Sequence, residues 1–232
     1  MDVVIVGGPH SGVGKTLAAE VALRALDGLG FGAIKLTVAD GERDPEHDHG
    51  SSALRLAEAV GVCGRGASCG VCETVSAKVP SRLVTGEGAI HKRGTDTFRL
   101  ADAGAVAVAW VISLREAAPD AVAAALAFLE QRGARGAVIE GTTALEWIKP
   151  LASVIVATDP GRKWKDVAVR YIGECDIPLR NLVPHAPGDQ PAPPAFAAAN
   201  PLVCDLGRMD DSGTASYVSR LRTICTTARQ TA

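Results

Sequence analysis

The residues best suited to chemistry lie near the start of the chain. Residues 7–14, called the glycine loop below, directly precede Lys15 and Thr16. Glycines let backbone N–H groups turn inward around phosphate oxygens, a lysine can reach the β- and γ-phosphates of a nucleotide, and a threonine hydroxyl can ligate Mg²⁺. The pattern therefore predicts phosphate binding by seven consecutive residues: His10, Ser11, Gly12, Val13, Gly14, Lys15 and Thr16.

Two elements must position the glycine loop. Val3 to Val6 is a short apolar run rich in β-branched residues, which is typical of a buried parallel strand. After Thr16, apolar residues recur at helical spacing as far as Leu29. A strand, a glycine loop ending in Gly-Lys-Thr and a helix are the context that a phosphate-binding P-loop requires. A chance Gly-Lys-Thr is the alternative, because the first glycine of the usual pattern falls on Pro9.

A carboxylate follows a later apolar run. Residues 136–139 are small or apolar and lead directly into Glu140. P-loop proteins keep a second Mg²⁺ contact at the carboxyl end of a core strand, and a buried glutamate without a partner would be costly. We therefore predict that Thr16 and Glu140 hold Mg²⁺ and that they act with Lys15 in catalysis, with a structural salt bridge as the alternative for Glu140. Asp159 ends another apolar run and is expected beside the nucleotide.

Three of the six cysteines, Cys63, Cys69 and Cys72, lie within ten residues. Thiolates separated by two residues can face one metal, because a tight turn lets the backbone wrap around it. The spacing predicts an iron–sulfur cluster or a structural Zn²⁺ site, with a redox-active or incidental cysteine loop as the alternative. The fourth ligand would be a histidine, a later cysteine or a cysteine of a second subunit. The polar residues 40–50 before this loop either contact a metal and the γ-phosphate or form a solvated loop.

Composition limits the class of protein. The chain has 232 residues, of which 47% are hydrophobic, and a formal net charge of −2. Its size and its alternation of strand and helix patterns predict a single α/β domain over residues 1–232, with a three-layer P-loop NTPase fold and a mostly parallel sheet. An insertion over residues 40–93 carries the cysteines, and residues 178–201 are predicted to form an irregular, proline-rich connection.

The same composition excludes several partners. A net charge near zero argues against a nucleic-acid or anionic membrane surface. An apolar run of about 18 residues would be needed for a membrane span, and the sequence has none. The chain also opens directly into a strand pattern without a targeting segment, so we expect a cytoplasmic protein.

Several motifs resemble those of known P-loop proteins. The stretch from Gly8 to Thr16 is similar to the loop of dethiobiotin synthetase and the cobyrinic acid amide synthases, in which the first glycine is also one residue early. Three further motifs resemble the molybdopterin-guanine dinucleotide biosynthesis protein B (MobB) family in order and spacing over residues 1 to 160: Ile34-Lys35, the run from Gly94 to Arg99, and Ile139-Glu140-Gly141. The chain departs from that family in its long cysteine-bearing segment and in Thr142-Thr143, where the family usually has Phe-Lys.

The resemblance implies a Mg²⁺-dependent accessory protein that binds and hydrolyses ATP or GTP in molybdenum cofactor or metallocentre biosynthesis. Its expected partners are the nucleoside triphosphate, a cofactor-biosynthesis enzyme or metalloenzyme, and a second copy of the chain. The dethiobiotin synthetase group belongs to a broad class of P-loop proteins that also contains the nitrogenase iron protein and the MinD-type ATPases. Many members of that class have a second lysine near the start of the loop that reaches across a dimer. No lysine precedes Lys15 here, so the sequence does not support such a contact.

Two other functions remain open. One is an ATP-dependent ligase of the dethiobiotin synthetase type, which phosphorylates a carboxylate and for which Lys35 is a candidate pocket residue. The other is an adaptor that binds nucleotide and a larger enzyme with negligible turnover.

Overall fold

A single sheet forms the centre of the protein. The structure is a computed structural model that describes residues 1–39, 74–183 and 190–230. Eight strands belong to the sheet: β1 (Asp2–Gly7), β2 (Phe31–Ala39), β3 (Ser81–Val84), β4 (Val108–Leu114), β5 (Gly136–Glu140), β6 (Ala152–Ala157), β7 (Ile177–Asn181) and β8 (Leu202–Cys204). Their order across the sheet is β3-β4-β2-β5-β1-β6-β7-β8.

The sheet is parallel apart from the β3–β4 pair, which is antiparallel at one edge. Numbered through the described residues, the helices are α1 (Lys15–Ala25), α2 (Glu87–Ile90), α3 (Asp96–Asp102), α4 (Ala118–Gln131), α5 (Asp166–Tyr171), α6 (Pro194–Ala198) and α7 (Ser212–Gln230). Short 3₁₀ turns cover Arg115–Ala117, Thr142–Glu146 and Ile172–Glu174. The predicted α/β fold with a mostly parallel sheet is confirmed.

Two apolar layers cover the faces of the sheet. Because successive side chains of a strand point to opposite faces, Val4 and Val6 of β1 pack with α1, α3 and α7, whereas Val3 and Ile5 pack with α4, α5 and α6. Burial on both faces explains why the central strands are almost continuously apolar. Since the parallel strands run the same way, the glycine loop after β1 and the carboxyl ends of β2, β4, β5 and β6 lie at one edge.

Parts of the predicted connection and of the predicted insertion belong to the sheet. The prediction of an irregular connection over residues 178–201 was wrong at both ends, where β7 and α6 lie. Pro178 misled the interpretation, although a proline is tolerated close to the start of a strand. Within the predicted insertion, β3 pairs with β4, and residues 40–73 lie outside the described residues. In the described part of the chain, no helix is both long enough and apolar enough to cross a bilayer.

The contact between α7 and β8 leaves no space for a side chain at Gly213. A Cβ atom there would lie 1.9 Å from the carbonyl oxygen of Val203. We expect Gly213→Ala to lower the free energy of unfolding by about 1–3 kcal/mol, since overpacking displaces backbone that cannot rotate away. Gly173→Ala is the matched control, because a Cβ at Gly173 meets no heavy atom within 4 Å. Equal urea midpoints for the two variants would contradict this packing.

Candidate functional site

The glycine loop needs glycine at two positions. Gly12 and Gly14 have φ angles of 85° and 101°, in the left-handed region that residues with a Cβ rarely adopt. Gly14 immediately precedes α1, so the N–H groups of the first helical turn lie next to the loop. Backbone N–H groups in such a loop, together with those of a helix N-terminus, form an arrangement that can bind an anion.

Side chains from the turn after β5 and from β7 hold the loop in place. The Gly8 N–H donates to the Thr142 hydroxyl oxygen over 2.9 Å, and that hydroxyl donates to the Gly8 carbonyl oxygen over 2.8 Å. On the other side, the Asn181 amide of β7 donates to the Val13 carbonyl oxygen over 3.1 Å. The conformation of the loop therefore depends on residues that are distant from it in sequence.

A buried carboxylate lies at the end of the loop. Glu140, the last residue of β5, is only 2% exposed. Its Oε1 accepts a hydrogen bond from Lys35 Nζ at 2.6 Å, and its Oε2 accepts one from the Thr16 hydroxyl at 3.1 Å. Lys35 is the register partner of Glu140 on the adjacent strand β2, so the sheet itself brings the two side chains together. A carboxylate removed from water requires such partners to remain charged.

Helix α3 adds a second carboxylate to Lys35. The Thr95 hydroxyl caps this helix by accepting from the Phe98 N–H at 3.3 Å, and Asp96 is its first residue. Asp96 Oδ2 lies 2.6 Å from Lys35 Nζ, and the Thr16 hydroxyl also interacts with Asp96. One ammonium group thus contacts two carboxylates.

The charged groups in this cluster favour the ionised forms of their neighbours. Burial by itself would raise the pKa of Asp96, but the Lys35 ammonium and the hydrogen bonds from Lys35 and Thr16 hold that pKa below the usual aspartate value. Burial would likewise lower the pKa of Lys35, but Glu140 and Asp96 hold it above the usual lysine value. We conclude that Lys35 and Asp96 are both ionised at neutral pH.

A second ion pair fastens α3 to α1. Arg99 lies one turn after Asp96, and its Nε is 2.5 Å from Oε1 of Glu20, which lies one turn after Thr16. Glu20 is a buried residue, and burial raises the pKa of its carboxyl group even though the charge of Arg99 opposes this shift. This ion pair therefore joins directly the two helices that carry Thr16 and Asp96.

A cleft of about 720 Å³ opens beside these groups. On the loop side it is lined by Gly8, His10, Ser11 and Lys15, followed by Lys35, Asp96 and Glu140. It then continues to side chains that follow β4, β5 and β6: Arg115, Thr142, Thr143, Glu146, Lys165 and Arg170. The cleft thus lies at the carboxyl edge of the sheet, where open α/β sheets bind their ligands.

The structure brings most of the predicted site residues together. Thr16 and Glu140 are in direct contact, and Lys15 Nζ donates to the His10 carbonyl oxygen at the mouth of the cleft. Asp159 is not among the described residues that line the cleft. Its carboxylate accepts from the Ala192 N–H at 3.0 Å and lies 3.7 Å from an Arg180 nitrogen. Its predicted contact with a nucleotide stays a prediction.

Sequence reasoning did not assign three residues of this site. Asp96 lies in the run from Gly94 to Arg99, and a carboxylate directly after a capping threonine at a helix start was a readable signal. Thr142 could have been suspected because it follows Glu140 so closely. Asn181 carried no signal, because its contact with Val13 spans 168 residues of sequence.

The predicted cysteine centre lies outside the described residues. Cys63, Cys69 and Cys72 fall in the segment 40–73, as do the polar residues 40–50. Among the described residues, no group of three or more His, Cys, Asp or Glu side chains is arranged to hold a metal ion. The metal site therefore stays a prediction.

Two of the later cysteines are poor candidates for its fourth ligand. Cys204 and Cys225 are buried in the apolar layer with α7, and burial raises the pKa of their thiols to about 12 and about 11. A thiol that remains protonated at neutral pH is a weak metal ligand, because the thiolate is the form that binds.

Comparisons with known proteins leave the function open. No protein-family model matches the chain, and no curated protein or solved structure gives a significant match. The function is therefore argued below from the geometry of the cleft.

The Lys35–Asp96 contact predicts a pH-dependent contribution to stability. Asp96→Asn should lower the free energy of unfolding by about 0.5–1 kcal/mol at neutral pH, since the Asp96 side chain is partly exposed and solvent screens the pair. Because the pKa of Asp96 is lowered on folding, this contribution is present above the usual aspartate value of 3.8 and is lost as the pH falls through the lowered pKa.

Urea unfolding of the wild type and the variant, measured between pH 3 and pH 7 at steps of about one pH unit, checks this dependence. Asp120→Asn is the control, because Asp120 is also an acidic residue in the first turn of a helix and is exposed. A difference between wild type and Asp96→Asn that stays constant with pH would contradict the ion pair.

The Arg99–Glu20 contact predicts that a single variant loses stability and that a double variant recovers part of it. Arg99→Gln should cost about 1–2 kcal/mol of unfolding free energy, because the buried Glu20 carboxylate loses its cationic partner. The double variant Arg99→Gln/Glu20→Gln should recover part of that loss, since no buried charge remains without a partner. Thermal or urea unfolding measures both values, and a double variant less stable than Arg99→Gln would refute the pairing.

Proposed function

We propose that this protein is a Mg²⁺-dependent P-loop NTPase that binds ATP or GTP in the cleft and hydrolyses its terminal phosphoanhydride bond. One observation carries the proposal. The Thr16 hydroxyl, at the start of α1 and next to Lys15, donates to the buried carboxylate of Glu140 over 3.1 Å. A hydroxyl and a carboxylate directly after a phosphate-binding loop are what a P-loop protein needs to hold Mg²⁺ against a triphosphate.

The glycine loop would hold the phosphates. The left-handed Gly12 and Gly14 turn the backbone so that its N–H groups are available to anionic oxygens, and the first turn of α1 adds its partial positive charge. Lys15 Nζ now donates to the His10 carbonyl oxygen within the same loop. A bound phosphate would replace that carbonyl as the stronger, charged acceptor.

The residues at the end of the loop fit Mg²⁺. Magnesium prefers hard oxygen ligands and commonly takes one or two carboxylates together with phosphate oxygens and water. Thr16, Glu140 and Asp96 supply three oxygen-bearing side chains, and the Thr16 hydroxyl interacts with both carboxylates. When bound, the ion would neutralise charge that develops on the phosphate oxygens.

Lys35 would act on the terminal phosphate together with Lys15. Its ammonium group lies 2.6 Å from both Glu140 and Asp96, and its side chain lines the cleft. A cation held in this way is already oriented before the substrate arrives, which is the form of electrostatic stabilisation that transfers of phosphoryl groups require.

The resemblance to the MobB family supports a role as an accessory protein in molybdenum cofactor or metallocentre biosynthesis. Its three motifs lie far apart in the sequence, yet each contributes one residue to the same cluster: Lys35, Asp96 and Glu140. The predicted iron–sulfur or Zn²⁺ site and a metalloenzyme partner belong to this proposal.

Nucleotide binding by single variants tests the proposed function. Lys15→Ala should weaken the binding of ATP or GTP at least tenfold, about 1.4 kcal/mol, because it removes a charge from the β- and γ-phosphates. Glu140→Gln should keep nucleotide binding without Mg²⁺ but abolish most of the gain in affinity that Mg²⁺ provides, and it should slow phosphate release by about 100-fold. Calorimetric titration with and without Mg²⁺, together with a phosphate-release assay, measures these effects.

Lys163→Ala is the matched control, because Lys163 is exposed and does not line the cleft. We expect it to bind nucleotide like the wild type. If neither ATP nor GTP binds to the wild-type chain in the presence of Mg²⁺, the proposed function is wrong. If nucleotide binds but is not hydrolysed in the wild type, the adaptor function replaces the NTPase.

A further inference from the structure

The cleft extends further than a triphosphate on the glycine loop requires. Thr16 and Glu140, the pair that we propose to hold Mg²⁺, lie at the end of the loop where the β- and γ-phosphates would lie. From there the cleft continues beneath the carboxyl ends of β2 and β4 and along the turn after β5. Asn181 donates to the loop at Val13, and Leu206 donates its N–H to Asn181. Neither residue is among the described residues that line the cleft. The additional space therefore lies beyond the terminal phosphate.

Three cationic side chains from two segments surround this outer half of the cleft. Arg115 follows β4, whereas Lys165 precedes α5 and Arg170 lies within it. They outnumber the carboxylates of the outer half, which are Glu146 and Asp166. The Lys165 N–H also donates to the Pro9 carbonyl oxygen over 3.3 Å, so this cationic edge is joined to the glycine loop.

Glu146 orients the two arginines. It lies in the 3₁₀ turn after β5, accepts a hydrogen bond from Arg115 Nη2 and lies 3.7 Å from Arg170 Nη1. Its side chain is only 14% exposed, whereas those of Arg115 and Arg170 are 47% and 65% exposed. The carboxylate is thus covered while both guanidinium groups remain accessible, and a guanidinium has five N–H donors of which Glu146 needs few.

The chemistry of this arrangement selects a small anion. Two guanidinium groups that share one carboxylate partner match the paired oxygens of a second carboxylate or a phosphate monoester. The remaining wall is uncharged and contains the indole of Trp110, which donates to the Thr37 hydroxyl over 3.0 Å, and the side chain of Thr143. It would accommodate the body of an organic molecule whose anionic group lies at the arginines.

We infer that the outer half of the cleft binds a second substrate or effector, a small organic molecule bearing a carboxylate or a phosphate monoester, with its anionic group on Arg115 and Arg170. This inference rests on the proposed function for the position of the nucleotide, but the arginine pair itself does not depend on it. Bound there, the second ligand lies next to the terminal phosphate and on the same side as Lys35.

An NMR titration tests the inference. The ¹⁵N-labelled protein is saturated with Mg²⁺ and a β,γ-imido nucleotide and is then titrated with glycerol 3-phosphate and, separately, with propionate. The Nε–Hε signals of Arg115 and Arg170, assigned with single arginine-to-lysine variants, should shift and saturate with at least one of the two probes. The probe that saturates identifies the anionic group, and saturation by both supports the inference equally.

Three variants separate this site from the nucleotide site. Arg115→Ala/Arg170→Ala, followed through the indole N–H signal of Trp110 in the same cleft, should weaken probe binding at least tenfold. Its nucleotide affinity should stay unchanged, which also shows that the double variant is folded. Arg208→Ala is the control, since Arg208 is an exposed arginine outside the cleft, and it should bind the probe like the wild type. Lys15→Ala should lose nucleotide binding but still shift the two arginine signals with the probe.

The experiment distinguishes a failure of the proposed function from a failure of the anion site. If the wild type binds no nucleotide but the arginine signals still saturate with a probe, the proposed function fails and the anion site stands. If nucleotide binds but neither probe saturates, or if the double arginine variant binds the probe as tightly as the wild type, the anion site is refuted.

Discussion

The buried carboxylate of Glu140 is the constraint on which the rest of the site depends. A charge with 2% exposure is costly unless hydrogen bonds and an opposite charge replace its water. Thr16 supplies a hydroxyl and Lys35 supplies the charge. Because Lys35 also contacts Asp96, the same requirement brings α3 to the cleft, and the Arg99–Glu20 contact then joins α3 to α1.

The segment that begins at Glu140 connects the functions of the cleft. Glu140 faces the end of the glycine loop, Thr142 holds the Gly8 backbone from below, and Glu146 orients Arg115 and Arg170 at the far end. One segment, residues 140–146, therefore contacts the glycine loop, the charged cluster and the arginine pair.

Local patterns were sufficient for the framework. The β-branched runs and the Gly-Lys-Thr after the first of them predicted the central strand, the loop and the helix. Thr16 and Glu140 are in contact, and their predicted role as Mg²⁺ ligands stays a prediction. Local patterns failed where a residue's neighbours were supplied by distant segments. Proline content suggested an irregular connection from 178 onward, but hydrogen bonding to β6 makes Ile177–Asn181 a strand of the sheet.

The sequence by itself determined the alternation of strands and helices and the strand–loop–helix context of Lys15, because those depend on periodicity and on spacing within a few residues. Only the tertiary structure decided which other side chains join that chemistry. The contacts of Glu140 with Thr16 and Lys35 span 124 and 105 residues of sequence, and that of Asn181 with Val13 spans 168. Strand order and register create these contacts, and no local pattern encodes the order in which parallel strands assemble.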